Sequence, residues 1–365
     1  MTQQTRTVAI VGGGYGGAAV AKALDEHATV ILIDPKDAFV NAAGSLRALT
    51  RPEEWADRIF FPYDTLLKNG GHIREYAASV DPQGVTLASG ERVEADYIVL
   101  ATGSGYPYPA KTRTDSTAEA IAHFKETHAE LAGAERVLIA GAGPVGLELA
   151  GEIKTAWPEK QVLIVDPAPV LVRGYDDELR AELHRMLDQL GIEVRLGVQL
   201  EDEPEIEPGR AGAVSVDVSG ERIEADIWFR AFGGTTNSEF LKGGIARLNR
   251  RGQLPVTPKL NVDGHGHVYA VGDVTDVLEE KRAGYAMQHA EVVAANIIAQ
   301  LGGEEPTQEY QPLPIPVILL PLGPELGVGQ IPSQNGPSLL SSEAVADWKG
   351  RDLMHGKFAE MFNLV

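Results

Sequence analysis

Apolar positions in this chain gather in short unbroken runs between polar, glycine-rich turns. Residues 7–11, 30–33, 97–101, 137–140 and 161–165 are such runs, four or five residues long and mostly Val, Ile and Leu. Runs of that length without polar alternation predict strands buried on both faces. Those at 7–11 and 137–140 pass through glycines into AAVAKAL and PVGLELAGEI, where the apolar period becomes that of a helix. Val85–Leu87 and Arg92–Val93 around ASG predict a hairpin, as do Ala213–Val218 and Ile223 around SG, with DIWFRAFG a further strand ending at Gly233. NVDGHGHVYAVGD predicts a strand ending at Asp273, AGYAMQHAEVVAANI a helix, and LPIPVILLPLG a proline-broken strand. Strand, turn, helix and strand thus recur in order from residues 7 and 137, too far apart for a solenoid. The pattern predicts an α/β chain with two Rossmann-like units.

The turns carry the candidate chemistry. VGGGYGG places Gly12, Gly14 and Gly17 at G-x-G-x-x-G spacing with Tyr15 and Gly16 between; AGAGPVG does the same with Gly141, Gly143 and Gly146 around Pro144 and Val145. The first glycine permits the tight turn, the second admits a pyrophosphate to the backbone, and the third lets helix pack on strand. Helix amides and dipole then face the phosphates. Asp34 and Asp166 end the next strands, where a carboxylate takes ribose hydroxyls. An acid at 166 favours NADH over the 2′-phosphate of NADPH, and Arg173 is too far along to reverse that. Two dinucleotide sites predict two cofactors that react together, with FAD and NADH the natural pair. A degenerate second site, or one for a regulatory nucleotide, is the alternative.

Charge and composition narrow the classes. A formal charge of −20 argues against nucleic acid and against a basic membrane anchor. The absence of cysteine excludes disulfides, thiolate metal sites and a dithiol relay, and with it sulfide:quinone chemistry. The histidines form no metal pattern, so no metal is expected. The polar start, with Thr2, predicts neither a cleaved signal nor N-myristoylation, and prolines at 312, 314, 316 and 321 break the longest apolar run. These features predict a cytoplasmic protein.

At fold level the layout resembles the flavoproteins with two dinucleotide-binding domains. That resemblance implies an NADH-binding domain inserted into an FAD-binding one: residues 1–105 with 232–305 for FAD, 106–231 for NADH, and 306–365 as a small C-terminal substrate-side domain. DPKDAF (34–39), SLRA (45–48), EIKTAWPEK (152–160), VYAVGDVTDV (268–277) and GVGQI (327–331) resemble more closely the ferroptosis suppressor proteins. These are mitochondrion-associated homologues of apoptosis-inducing factor, FAD-dependent NAD(P)H:quinone oxidoreductases related to type II NADH dehydrogenases. The chain departs from that subgroup in lacking a myristoylation site and a clear equivalent of its lysine near the C-terminus.

The resemblance implies site residues. Ala101, Thr102, Gly103, Gly272 and Asp273 line FAD, with Asp273 near the ribityl chain, and Gly233 closes the matching turn of the second unit. Lys36 reaches FAD phosphate or ribose, or is a solvated strand-end lysine. Arg47 reaches flavin or phosphate, or is a surface arginine, and the backbone of Val80 meets adenine, or Val80 is a plain core valine. Glu148 lies beside nicotinamide and flavin. Lys281 precedes a helix whose N-terminus points at the flavin C2 carbonyl. That helix carries Ala286, Met287, Gln288 and His289 in its first turns. Gln288 stands where type II NADH dehydrogenases carry glutamines, and His289 delivers a proton to quinone or is structural. The tail, WKGRDLMHGKFAEMFNLV, packs on the body or a partner chain, or makes peripheral contact with a bilayer.

The expected activity is hydride transfer from NADH to FAD followed by two-electron reduction of a quinone. A reductase of a redox protein such as ferredoxin or rubredoxin is the alternative, although an acidic chain suits an acidic partner poorly. A flavin-bearing NADH sensor acting through a partner is the third reading.

Overall fold

The computed structural model describes residues 6–365. Five parallel strands form the first sheet, in the order Val268–Ala270, Tyr97–Leu100, Thr7–Val11, Thr29–Ile33 and Gly71–Ile73. Val8, Ile10, Val30, Leu32 and Val99 enter one core cluster, and Ala9, Val11, Ile33, Ile98 and Leu100 another. Both faces are covered, which explains why these strands read as unbroken apolar runs.

A second sheet repeats the plan in the order Ile192–Leu196, Gln161–Asp166, Arg136–Ala140, Glu221–Arg230 and Ala211–Val218, the last antiparallel. The chain leaves the first sheet after Leu100 and rejoins it at Val268, with the second sheet between.

The structure revises two elements. The hairpin arm at Ile223 and the strand DIWFR are one strand, Glu221–Arg230. It continues because Asp226 accepts from the Glu135 and Arg136 N–H groups, so a polar residue fits the ladder. The strand predicted to end at Asp273 stops at Ala270, and Asp273 lies on a 3₁₀ turn, Gly272–Val274.

Residues 318–340 form a three-stranded antiparallel sheet, Ile318–Pro321, Gly327–Ser333 and Gly336–Leu340. The second fingerprint helix, Pro144–Ala156, lies directly on it: a Cβ on Gly151 would fall 2.4 Å from Leu322 Cα. The tail then crosses to the first unit. Phe358 and Phe362 pack against Phe39, with ring centroids 5.1 Å and 5.3 Å away, and Asn363 donates to Thr65 O. The expected membrane contact is thus narrowed: Leu353, Phe358 and Phe362 are buried in the body, leaving Trp348, Leu364 and Val365 exposed. Among the described residues no helix is long and apolar enough to cross a membrane.

Candidate functional site

The two glycine turns share one geometry. Gly12 and Gly141 have φ of +102° and +112°, and a Cβ on either would lie 2.5 Å from a carbonyl oxygen, of Ala101 or Ala231. Only glycine fits there. Nothing lies within 4 Å of the Cβ position of Gly14 or Gly143, so backbone is open to a ligand at both. Gly17 and Gly146 close the packing of helix on turn, where a Cβ would fall 1.8 Å and 2.0 Å from the first glycine's oxygen. Tyr15 and Pro144 begin the helices, with Gly16 and Val145 next.

The acids repeat as well. Asp34 accepts from Gly13 N–H at 2.7 Å and Lys36 N–H at 2.9 Å; Asp166 accepts from Ala142 N–H at 2.6 Å and Ala168 N–H at 2.7 Å. Each carboxylate is held beside its turn with acceptor capacity left for ribose hydroxyls. Both cradles fit a dinucleotide.

On the helix of the second turn sits a largely buried charged pair. Lys349 Nζ donates to Glu148 Oε1 at 2.7 Å and to Leu319 O at 3.2 Å. Burial pushes the Glu148 carboxyl above its usual range, and Lys349 pulls it back. Tyr15, which accepts from Ala43 N–H and donates to Asn41 Oδ1, is pushed upward by burial, with the Glu148 charge adding to the shift. The Arg282 cation, just before the helix Ala283–Leu301, acts on Glu148 too. The tail thus touches Glu148 directly, and Tyr15 and Arg282 of the first unit lie near enough for charge to act between them and it.

Asp273 is oriented by the Ser104 hydroxyl, which donates to its Oδ2 at 2.5 Å. Lys111, from the crossing segment, donates to Ser104 O, and burial lowers its pKa while the Asp273 charge raises it. The ATG turn is fixed by Asn237: Thr102 Oγ1 donates to Asn237 O at 2.6 Å, and Asn237 N–H to Gly103 O at 3.0 Å. Ala101 N–H donates to Val11 O at 2.7 Å. Ala286 packs on the Gly272 turn, and Met287 is in the first unit's core. Gly233, with φ of +90°, follows the strand Glu221–Arg230.

Four of the residues expected at the cofactors have protein partners of their own. Arg47 is fully buried, clamped by Glu152 through Nε at 3.0 Å and Nη2 at 2.6 Å, and donates to Arg351 O; its fork joins the two units and does not face a cofactor. The Lys36 ammonium pairs with Asp115 at 3.2 Å. Lys281 donates to Thr275 O and Val277 O, closing its own loop. Val80 is a core side chain paired in a hairpin with Val85.

His289 is wholly enclosed. Its Nδ1 accepts from Gly272 N–H at 3.0 Å, and its Nε2 lies 2.9 Å from Glu279 Oε1 in an off-axis approach. Without access to a substrate it holds the turn that carries Asp273, so the proton-delivery role is withdrawn. Gln288 falls on the helix's exposed stripe with Gly284 and Glu291.

The tail supplies the lysine that the sequence did not reveal. Lys349 and Glu148 are 201 residues apart, and no local pattern marks either as the other's partner. Glu152, Lys111 and Asn237 escaped for the same reason.

Residues 6–294 match the family described as pyridine nucleotide-disulphide oxidoreductase. The chain belongs to this family. It is therefore an FAD-dependent NAD(P)H oxidoreductase, though without a cysteine it has no dithiol of the kind the family name records. Apoptosis-inducing factor homolog B of Dictyostelium discoideum is 30% identical, covering 100% of this chain and 98% of that protein. Ferroptosis suppressor protein 1 of Homo sapiens is 32% identical, covering 89% of this chain and 88% of its own length. The subgroup resemblance in the sequence is thus confirmed. Among solved structures, the sulfide:quinone oxidoreductase of Aquifex aeolicus superposes with a TM-score of 0.77 at 18% identity, covering 98% of this chain and 92% of that one. A putidaredoxin reductase–putidaredoxin complex gives 0.71 at 20% identity, covering 89% and 81%. At these identities the likeness shows the shared fold.

Proposed function

We propose that the protein is an NADH-preferring quinone reductase, with FAD at the first glycine turn and NADH at the second. The Glu148–Lys349 pair, largely buried on the helix of the second turn, carries this reading. FAD, when bound, accepts a hydride from the nicotinamide and passes two electrons to the acceptor. The chain's own residues bind, orient and exclude water. Asp34 and Asp166 fix the two riboses, and Ser104 sets Asp273 toward the ribityl chain. Glu148 holds the Lys349 ammonium in place, and that ammonium offers a proton and a charge to an acceptor oxygen. The fold accommodates a quinone in the Aquifex enzyme, and the ferroptosis suppressor resemblance favours the same acceptor class. Residues 1–105 and 232–305 form the FAD domain in this scheme, 106–231 the NADH domain and 306–365 the acceptor side.

An acceptor screen on purified FAD-loaded protein tests the reading. Sustained NADH oxidation with a soluble quinone, faster than with NADPH, is the expected result. Bleaching of the flavin without turnover would point to the sensor, and turnover only with a carrier protein would point to a redox-protein reductase.

A further inference from the structure

An acidic chain bears one cationic groove. Residues 242–251, KGGIARLNRR, hold four cations and no acid, within a protein of formal charge −20. Lys242, Arg247, Arg250 and Arg251 are all exposed and line a single cavity of about 1180 Å³ that also reaches Asp273 and Lys281. Lys242 pairs with Glu239, whereas Arg247, Arg250 and Arg251 make no ion pair among the described residues. Elsewhere on the surface, Arg92, Arg113, Arg136, Arg195 and Arg351 each sit on a carboxylate. With acids in excess, leaving three nearby guanidiniums without partners concentrates positive potential in one place.

The presentation is rigid. Asn249 Oδ1 accepts from Arg251 N–H at 2.8 Å and from Gln253 N–H at 3.0 Å, and Asn249 N–H donates to Gln253 O at 2.9 Å. Gly252, with φ of +74°, completes the turn. Arg250 and Arg251 thus project from a closed loop that is ordered before any ligand arrives, and a planar fork on a fixed base suits phosphate oxygens.

We propose that this groove binds a phosphate-bearing ligand at a site separate from both dinucleotide cradles. Concavity and glycine-rich walls favour a phosphoryl group over a broad protein face, and two sources carry that chemistry, a soluble phosphate ester and a lipid headgroup. The glycine turns of the cradles are absent from its walls, which border the expected flavin site at one end, through Ser104, Asp273 and Lys281.

The test uses FAD-loaded protein saturated with NAD⁺, so that both cradles are filled. Calorimetry with inorganic pyrophosphate, and sedimentation with phosphatidylglycerol against phosphatidylcholine vesicles, distinguish the two sources. Binding to either probe should weaken at least about tenfold in R250A/R251A, as expected when two charge-assisted contacts are lost. R250K/R251K should retain part of it, and NADH turnover with a small one-electron acceptor should be unchanged in both variants. Equal binding by R250A/R251A would place the anion elsewhere and overturn the proposal, as would failure of the unmodified protein to bind either probe. Loss of turnover with an acidic carrier protein in R250A/R251A, without phosphate or vesicle binding, would assign the groove to a protein and overturn it as well.

Discussion

Lys349 Nζ lies 2.7 Å from Glu148 Oε1, joining the tail to the second fingerprint helix across 201 residues. Both side chains are largely buried, so neither charge is solvated if the other is removed. K349M should therefore lower kcat/KM for quinone by about tenfold to a hundredfold, the range for one charge-assisted donor. E148Q/K349M should recover thermal stability relative to K349M alone. Steady-state kinetics and melting curves on K349M, E148Q and E148Q/K349M check this, and additive stability losses would count against the pair.

The raised Glu148 pKa fixes the sign of a pH effect. Burial is the main cause, partly offset by Lys349. A carboxyl whose folded pKa exceeds its unfolded one favours folding when protonated. That contribution is complete below the unfolded value and is lost as pH rises through the folded value. The melting temperature of the unmodified protein should therefore fall relative to E148Q across that window. The acid limb of kcat/KM should also lie above the usual Glu range and disappear in E148Q.

The glycine turns separate the two cofactors. An Ala Cβ at residue 12 or 141 would meet a carbonyl oxygen at 2.5 Å. G12A should purify colourless or with greatly reduced flavin. G141A should stay yellow yet fail to bleach with NADH. Absorbance at the flavin band before and after NADH reads both, and the reverse result would exchange the assignments.

Asp166 sets nucleotide preference in this reading. Asp166→Ala removes the carboxylate that accepts from the Ala142 and Ala168 N–H groups and that, in this reading, would also accept from a ribose. The ratio of kcat/KM for NADH over NADPH should drop, and an unchanged ratio would remove Asp166 from that role.

Arg47 tests a structural function in place of the expected cofactor contact. R47M leaves Glu152 buried without a cation, which costs about 3–5 kcal/mol when a buried pair loses one partner. R47M/E152Q should regain much of that stability in denaturant titrations, with flavin content per folded molecule unchanged. Selective flavin loss in the double variant would restore Arg47 to the cofactor site.

Much of the scaffold was legible because its signals are local. Residues 8–11 and 137–140 are apolar at every position since helices or sheets cover both faces, and the glycine turns after them follow from φ and close approach within a few residues. His289 was recognisable as a residue of interest, but its direction was not: a single helix position, about 100° of rotation, decides between solvent, as for Gln288, and a fully enclosed bond to Gly272. Arg47 read as a free cation because Glu152 is 105 residues distant. The fusion of Ile223 and DIWFR into one strand depended on Asp226 finding backbone donors on a neighbouring strand.

The sequence by itself determined two dinucleotide cradles, their order and the acids that accompany them, because each is written in one stretch of chain with its own backbone requirement. Only the tertiary structure decided which charges meet. It set Lys349 on Glu148, Arg47 on Glu152 and the tail's phenylalanines on the first unit, and left Arg247, Arg250 and Arg251 without an ion pair among the described residues. The reason is physical: Coulomb attraction, desolvation and packing act between groups that are near in space, and their strength depends on burial that no local run of residues encodes.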